Sequence, residues 1–573
     1  MAPTVHQVEM IPGTERIFDT RSADVEGENV GGGGGGGTGT GTGQLVLIPH
    51  PTKNSDDPLN WSSAWKGVVI FNQFVFVFVS IMTPLAIAPM TLIFEQEFRK
   101  TLPEVNMLFG AAAITLGYAN FLIVPAANLW GRRPVILVCS LVCILANVWQ
   151  GLVTSYESFI AARVISGLGA AANESIMPMV VADLLFVHQR GRSMALYFWA
   201  YFMGLFIGPI ISGAIASQIT WRWFFWVCTI LQGASFIFIL VAHPETKYER
   251  PRPRIDISPG ITEVRVSEGA DKADRVDSRG YQSEPESGRG SDQAHGDDNA
   301  SNANLEAASV EAPATSHITN GGPSLAQFSV VPRRRQFHGS AASALRDVIS
   351  PIQILFYPIV LWAALAMGFA ANALLALNLT QAQVFGPPPY LFSPDQIGFV
   401  NFAFVVGAAV ALFTAGPFSD WIALRRARAN GGVLEPEMRL PALIPYVAIN
   451  LVGMVITAVG YQRSWPWEAI VIAGYMLVGI QVVGIPAIAI SYAVDCYKSL
   501  PGEIMIAATI FKNTFGFGMI FFFNDWAAKS GYIAPILLLM ALTVGFSALG
   551  LALFIPWGKK FRRMTRHSKL HTL

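Results

Sequence analysis

Two ionisable residues stand alone in long apolar stretches. Glu174 lies within ISGLGAAANESIMPMVVA (165–182), and Lys512 lies within IAATIFKNTFGFGMIFFF (506–523). A charge in such surroundings is expensive unless it is paired or put to use, so it marks a functional site by default. The chemistry available is proton and cation handling. Burial raises a carboxyl pKa and a nearby cation lowers it. An acid that alternates between those environments takes up and releases a proton. Arg163 precedes Glu174 by eleven residues. In one helix that spacing returns to within about 20° of the same face, roughly 16 Å away. It predicts a cavity-facing stripe of Arg163, Gly167 and Glu174. Two roles stay open for Glu174: proton carrier or contact for a cationic substrate, and permanent structural pair with Arg163 or Lys512. Uncharged candidates for the same lining are Asn72, Tyr118, Asn120, Asn173, Asn372, Gln481 and Asn513, each equally able to join two helices.

The surrounding sequence says what must position these groups. Of 573 residues, 52% are hydrophobic and 13% charged, and the mean hydropathy is +0.44. Soluble domains carry roughly 25% charged residues. The charges crowd into the first 66 residues, into about 245–347, into short loops and into the last 15. Between them run stretches of about 20 apolar residues, each long enough to span a bilayer as a helix. Twelve spans are expected: 66–88, 105–127, 133–152, 159–182, 193–216, 223–242, 350–380, 395–418, 441–460, 467–491, 501–524 and 532–555. The fold class is an all-α membrane protein of two six-helix halves. The division reads as a disordered tail 1–65, a half 66–242, a largely disordered linker 243–347, a half 348–556 and a basic tail 557–573.

Lys and Arg in the short loops set the orientation. With the N-terminus in the cytosol, inner loops hold Arg132 and Arg133, Arg190 and Arg192, and Arg425, Arg426, Arg428 and Arg439. The C-terminal tail adds Lys559, Lys560, Arg562, Arg563 and Arg566. The Gly/Thr tract 31–43 reads as a flexible tether, and 251–340 lacks the apolar content to bury a core. Arg333, Arg334 and Arg335 suit contact with anionic lipid. Cys139, Cys143, Cys228 and Cys496 form no framework and read as apolar filler. No phosphate loop, metal-ligand spacing or nucleophile elbow is visible, so an enzyme is not expected, nor a cofactor or metal.

One weak repeat divides the chain. VPAANLWGRRPVIL (124–137) follows the second span of the first half, and GPFSDWIALRRARANGG (416–432) follows the second span of the other. Such a repeat is what a duplicated transporter leaves behind. GRRP (131–134), RVISGLGAAANES (163–175), VHQRGRSMAL (187–196), WRWFFW (221–226) and HPETKYER (243–250) add specific motifs, with DPLNWSSAWK (57–66) before span one and EPEMRL (435–440) before span nine. Over roughly 55–245 and 345–560 the chain resembles the major facilitator superfamily. It is most similar to its fungal twelve-span proton-coupled branch of drug and metabolite exporters and polyamine-type permeases. One departure stands out. Where the loop motif usually has an acid and a base, this chain has Asn128 and Leu129, so the usual charge latch cannot form; Asp420 keeps the acid in the second copy.

The resemblance gives MGLFIGPIISG (203–213) a meaning. Gly204, Gly208 and Ser212 share one helix face, Pro209 removes a backbone hydrogen bond, and the pattern matches the antiporter motif of span five. It implies a gate in which Gly204, Gly208, Pro209 and Gly213 face span eight, with Gly407, Ala408 and Gly416 opposite; plain packing is the alternative. Arg132, Arg133, Asp183 and Asp420 are the expected inner latch residues. The implied function is alternating-access transport of a small organic molecule, coupled to protons and directed outward. Proton-coupled uptake of an organic cation such as a polyamine is the alternative, and a transporter-like sensor a remote one. Expected partners are the small-molecule substrate, protons and membrane lipid, not nucleic acid. The protein is expected to act as a monomer in the plasma membrane, with a vacuolar or other internal membrane as the alternative.

Overall fold

A computed structural model describes residues 14–16, 52, 54, 56–248, 321–330, 341–430, 432–497 and 500–565. Among them are twelve helical stretches long and apolar enough to cross a membrane. Spans one to six run Ser63–Phe98, Leu102–Trp130, Arg132–Leu152, Tyr156–Leu184, Leu196–Gln218 and Arg222–Ala242. Spans seven to twelve run Pro358–Phe385, Pro394–Ala429, Pro436–Gln462, Ala469–Cys496, Pro501–Ser530 and Ile533–Met564. Number and order agree with the sequence reading. Among the starts, the largest shift is in span seven. It starts at Pro358 because the stretch before it is a separate helix, Ala341–Leu355, here called the linker helix.

Several spans are interrupted, which fixes which faces meet. Span four is two helices, Tyr156–Ala170 and Ala172–Leu184, joined at Ala171. Pro178 sits in the second of them and denies the Glu174 carbonyl its usual helical partner. Span two breaks at Ala119, and its inner part carries Pro125. The start of span one is clamped locally. Asp57 accepts from Leu59 N at 3.1 Å and from Thr52 N at 3.0 Å, and Lys66 Nζ reaches Leu59 O at 2.8 Å. That is why DPLNW forms a rigid lead-in, with Trp61 buried.

Between the halves, span five packs on span eight, and span eleven packs on spans two and four. Intrahelical bonds satisfy the backbone, so the halves meet through side chains and small-residue contacts. Parts of the segments expected to lack structure are ordered at the basic end of the bundle. Glu15–Arg16 pairs antiparallel with Val433–Leu434. Gly321 O accepts from Ser62 N at 2.9 Å, and the Phe328 ring meets Trp65 edge-on at 6.1 Å. The linker helix packs against the inner ends of spans two and eleven. The tract 31–43, residues 251–320, Arg333 to Arg335 and Arg566 lie outside the described residues, as do the side chains of Arg190 and Arg192.

Candidate functional site: an ion pair between the halves

Span four brings Glu174 and span eleven brings Lys512 to the middle of the bundle. Their side chains are 2% and 6% exposed, and they form a direct ion pair. Tyr201, from span five, completes the cluster. Its hydroxyl donates to Glu174 Oε1 at 2.7 Å and accepts from Lys512 Nζ at 2.6 Å, and the ammonium also stands 4.5 Å above the Tyr201 ring. Asn513 Nδ2 approaches Glu174 Oε2 at 3.4 Å. Asn372 donates to the backbone oxygen of Lys512 at 3.0 Å, which ties span seven to span eleven. A cavity of about 80 Å³ adjoins the pair, lined by Tyr201, Leu205, Asn372, Lys512, Asn513 and Gly516. The arrangement is a carboxylate that already holds one ammonium, in a buried setting where charge-assisted bonds are strong. It also links the two halves, because span four belongs to one and span eleven to the other.

Other candidates fall elsewhere. Arg163 is fully buried, but it does not share a cavity face with Glu174. It donates to Leu108 O at 2.9 Å, Thr83 O at 3.1 Å and Gln150 Oε1 at 3.3 Å, joining four spans of the first half. Helical spacing places Arg163 near the Glu174 face, but its guanidinium is taken up by these three oxygens. Asn173 donates to Ser80 Oγ at 3.1 Å, Asn120 to carbonyls of its own helix, and Gln481 to Ala370 O at 3.3 Å. Asn72 is buried without a hydrogen-bond partner in the structure. Tyr118 sits on the rim, 45% exposed, and accepts from Thr514 across the span two–eleven seam.

The span-five residues divide between two neighbours. Gly204 lies against Phe78, Gly208 against the carbonyl of Met82, and Ser212 donates to Ala86 O, all on span one. Of the motif's glycine and proline residues, Gly213 and the Pro209 carbonyl meet span eight, at Pro394 and Gly398, and Phe206 stacks on Phe404 of the same span. Gly407 packs on span ten instead of span five. The expected small-residue seam between spans five and eight is therefore confined to the end nearest Gly213. At the opposite end these spans part. A cleft of about 900 Å³ opens there, lined by Phe71, Phe74, Trp199, Phe413 and Asp420 among others.

The latch residues also separate by role. Arg133 is buried within the first half. Its guanidinium caps span six through the carbonyls of Ile239, Leu240 and His243, while Glu245 accepts from Arg132 N at 2.9 Å and Arg133 N at 3.1 Å. Burial, with the Arg133 charge beside it, pushes the His243 imidazole down to about 3. Arg132 pairs with Asp183 at 3.3 Å, and Asp420 pairs with Arg439 at 2.8 Å. Sequence reading missed Tyr201. Its one signal is a polar-tipped ring on the span that carries the glycine motif.

The sequence pattern described as the Major Facilitator Superfamily matches residues 69–522. The chain belongs to the Major Facilitator Superfamily. Protein HOL1 of Saccharomyces cerevisiae is 26% identical over 98% of this chain and 97% of its own length. An uncharacterised MFS-type transporter of Schizosaccharomyces pombe is also 26% identical, over 97% and 94%. The probable efflux pump mfs2 of Aspergillus flavus is 22% identical over 82% and 96%. Among solved structures, the proton:xylose symporter XylE matches with a TM-score of 0.53 at 14% identity, covering 87% of this chain and 97% of that one. The human organic anion transporter MFSD10 matches at 0.51 and 14%, covering 84% and 99%. These two likenesses establish the fold. As a major facilitator protein the chain is a multi-pass membrane transporter of small molecules, not an enzyme.

Proposed function

We propose that the protein is a proton-coupled exporter of a small organic molecule, acting as a monomer in the plasma membrane, with Glu174 as the proton carrier. The observation that carries this reading is the Glu174–Lys512 pair, held between the halves and braced by Tyr201. When Glu174 is ionised, the pair draws spans four and eleven together. When it is protonated, that attraction is lost and Lys512 is left facing the cavity, so the halves rock apart at lower cost. Outward direction is supported by the span-five glycine–proline motif and by the name of the Aspergillus flavus relative.

A second reading is favoured by one feature of the same site. Carboxylate, tyrosine hydroxyl and tyrosine ring already cradle a primary ammonium. A substrate ammonium would displace Lys512 from that cradle, which makes an organic cation such as a polyamine a fitting solute for uptake.

Vesicle transport under an imposed pH gradient tests both readings. Accumulation by inside-out vesicles with an acid lumen supports export, and accumulation from an acid exterior into right-side-out vesicles supports uptake. Glu174→Gln is expected to abolish gradient-driven accumulation and keep solute exchange. Tyr201→Phe is expected to slow both about tenfold, through loss of one charge-assisted hydrogen bond. Gradient-driven accumulation undiminished in Glu174→Gln would remove the carboxylate from the mechanism.

A further inference from the structure

The two halves carry the same charge arrangement at their inner ends, with one substitution. In the second half Arg439, at the start of span nine, pairs with Asp420 and Asp495, each at 2.8 Å, from the ends of spans eight and ten. In the first half Arg132, at the start of span three, pairs with Asp183 at the end of span four, but the end of span two offers Asn128. Asn128 Oδ1 accepts from Arg132 Nη1 at 2.8 Å. That contact fixes the orientation of the amide, because the reverse would aim NH₂ at a guanidinium. The NH₂ group consequently faces away from Arg132, and it donates to Asp347 Oδ2 at 2.8 Å.

Asp347 belongs to the linker helix, which leads through Phe356 and Tyr357 into span seven. The Asn128–Asp347 bond thus crosses from the first half to the second. We propose that this bond is the inner latch between the halves, and that Asn128 and Asp347 are positioning residues whose chemical types depend on each other. The acid missing from span two stands on the linker helix instead. Glu503, at the start of span eleven, lies within electrostatic reach of Asp347, Arg132 and Arg346. A carboxylate at position 128 would face Asp347 directly, with Glu503 close by. An amide is the group that satisfies Arg132 on one side and Asp347 on the other.

The latch is tested by exchanging its polarity. The readout is maleimide labelling of Ser350→Cys in inside-out vesicles. Ser350 is buried in the linker helix, and Cys139, Cys143, Cys228 and Cys496 are themselves buried and give a low background. Asn128→Asp is expected to raise the labelling rate about tenfold by placing two carboxylates in contact, and Asp347→Asn to raise it severalfold, by roughly the worth of a charged hydrogen bond. The double variant Asn128→Asp with Asp347→Asn restores one carboxylate–amide bond in reverse. Its labelling is expected to return to within about twofold of the parent, in the sense of a double-mutant cycle. A double variant as reactive as Asn128→Asp alone would overturn the proposal. If Asn128→Asp does not fold, unchanged labelling in Asp347→Asn overturns it equally. Labelling requires neither substrate nor a proton gradient, so its failure leaves the role of Glu174 untouched.

Discussion

The residue His243 shows how a buried group shapes the response to acid. Its imidazole is fully buried, and neither ring nitrogen has a hydrogen-bond partner in the structure. Its pKa stands at about 3, against an ordinary value of 6.5. The unfolded chain therefore binds a proton that the folded chain refuses. The stabilisation is complete above about pH 6.5 and declines as the pH falls from there towards 3. Between pH 6.5 and 5 the loss comes to about 2 kcal/mol, at 1.36 kcal/mol per unit. His243→Phe keeps a ring in the site and leaves the carbonyl that Arg133 uses. Thermal unfolding in detergent at pH 7.5 and pH 5 is expected to show a smaller drop in Tm for the variant than for the parent. Equal drops would mean that other groups set the acid sensitivity.

At the scale of elements, the glycines Gly204 and Gly208 of span five seat on span one and not on span eight. A Cβ built on Gly208 would overlap the Met82 carbonyl, and backbone has no room to yield, whereas Gly233 on span six has open space around it. Gly208→Leu is expected to cost roughly 3 kcal/mol, the upper end for overpacking, while Gly233→Leu stays near zero. Monodisperse yield and Tm in detergent measure both; equal behaviour would show that span five can shift away from span one. The same contrast explains what could be read from the sequence. Twelve spans were legible because length and apolar content decide whether a helix crosses a bilayer. Glu174 and Lys512 were legible because a charge in such a helix is conspicuous. Facing was not legible. Spacing along span four places Arg163 toward the cavity, but its guanidinium turns to oxygens of spans one, two and three, and Gly204 and Gly208 face span one where the motif implies span eight. Asn128 reads as a missing latch because its partner, Asp347, stands at the far end of the stretch expected to be a disordered linker, where no pattern in the spans points to it.

At the scale of the whole molecule, the chain's own extensions brace the inner ends of both halves. Residues 321–330 lie on the first half, where Phe328 stands 5.5 Å from the Arg133 guanidinium. The N-terminal strand reaches the second half, where Thr14 Oγ1 accepts from Arg562 Nη1 at 3.0 Å. Arg562 is fully buried and forms a two-pronged pair with Glu437, both bonds 2.8 Å long. The two contributions differ in kind. Thr14 adds one hydrogen bond and a two-residue strand, worth about 1 kcal/mol. Removing the guanidinium strands a buried carboxylate, at a cost of about 3–5 kcal/mol. Deleting residues 1–16 is therefore expected to lower Tm slightly and leave transport intact, whereas Arg562→Ala should sharply reduce folded yield. Glu437→Gln with Arg562→Met, which removes both charges together, is expected to recover most of the loss, because the penalty belongs to the orphaned charge rather than to the missing attraction. If the tail deletion were as damaging as Arg562→Ala, the strand, and not the buried ion pair, would be what secures the inner end of span twelve to span nine.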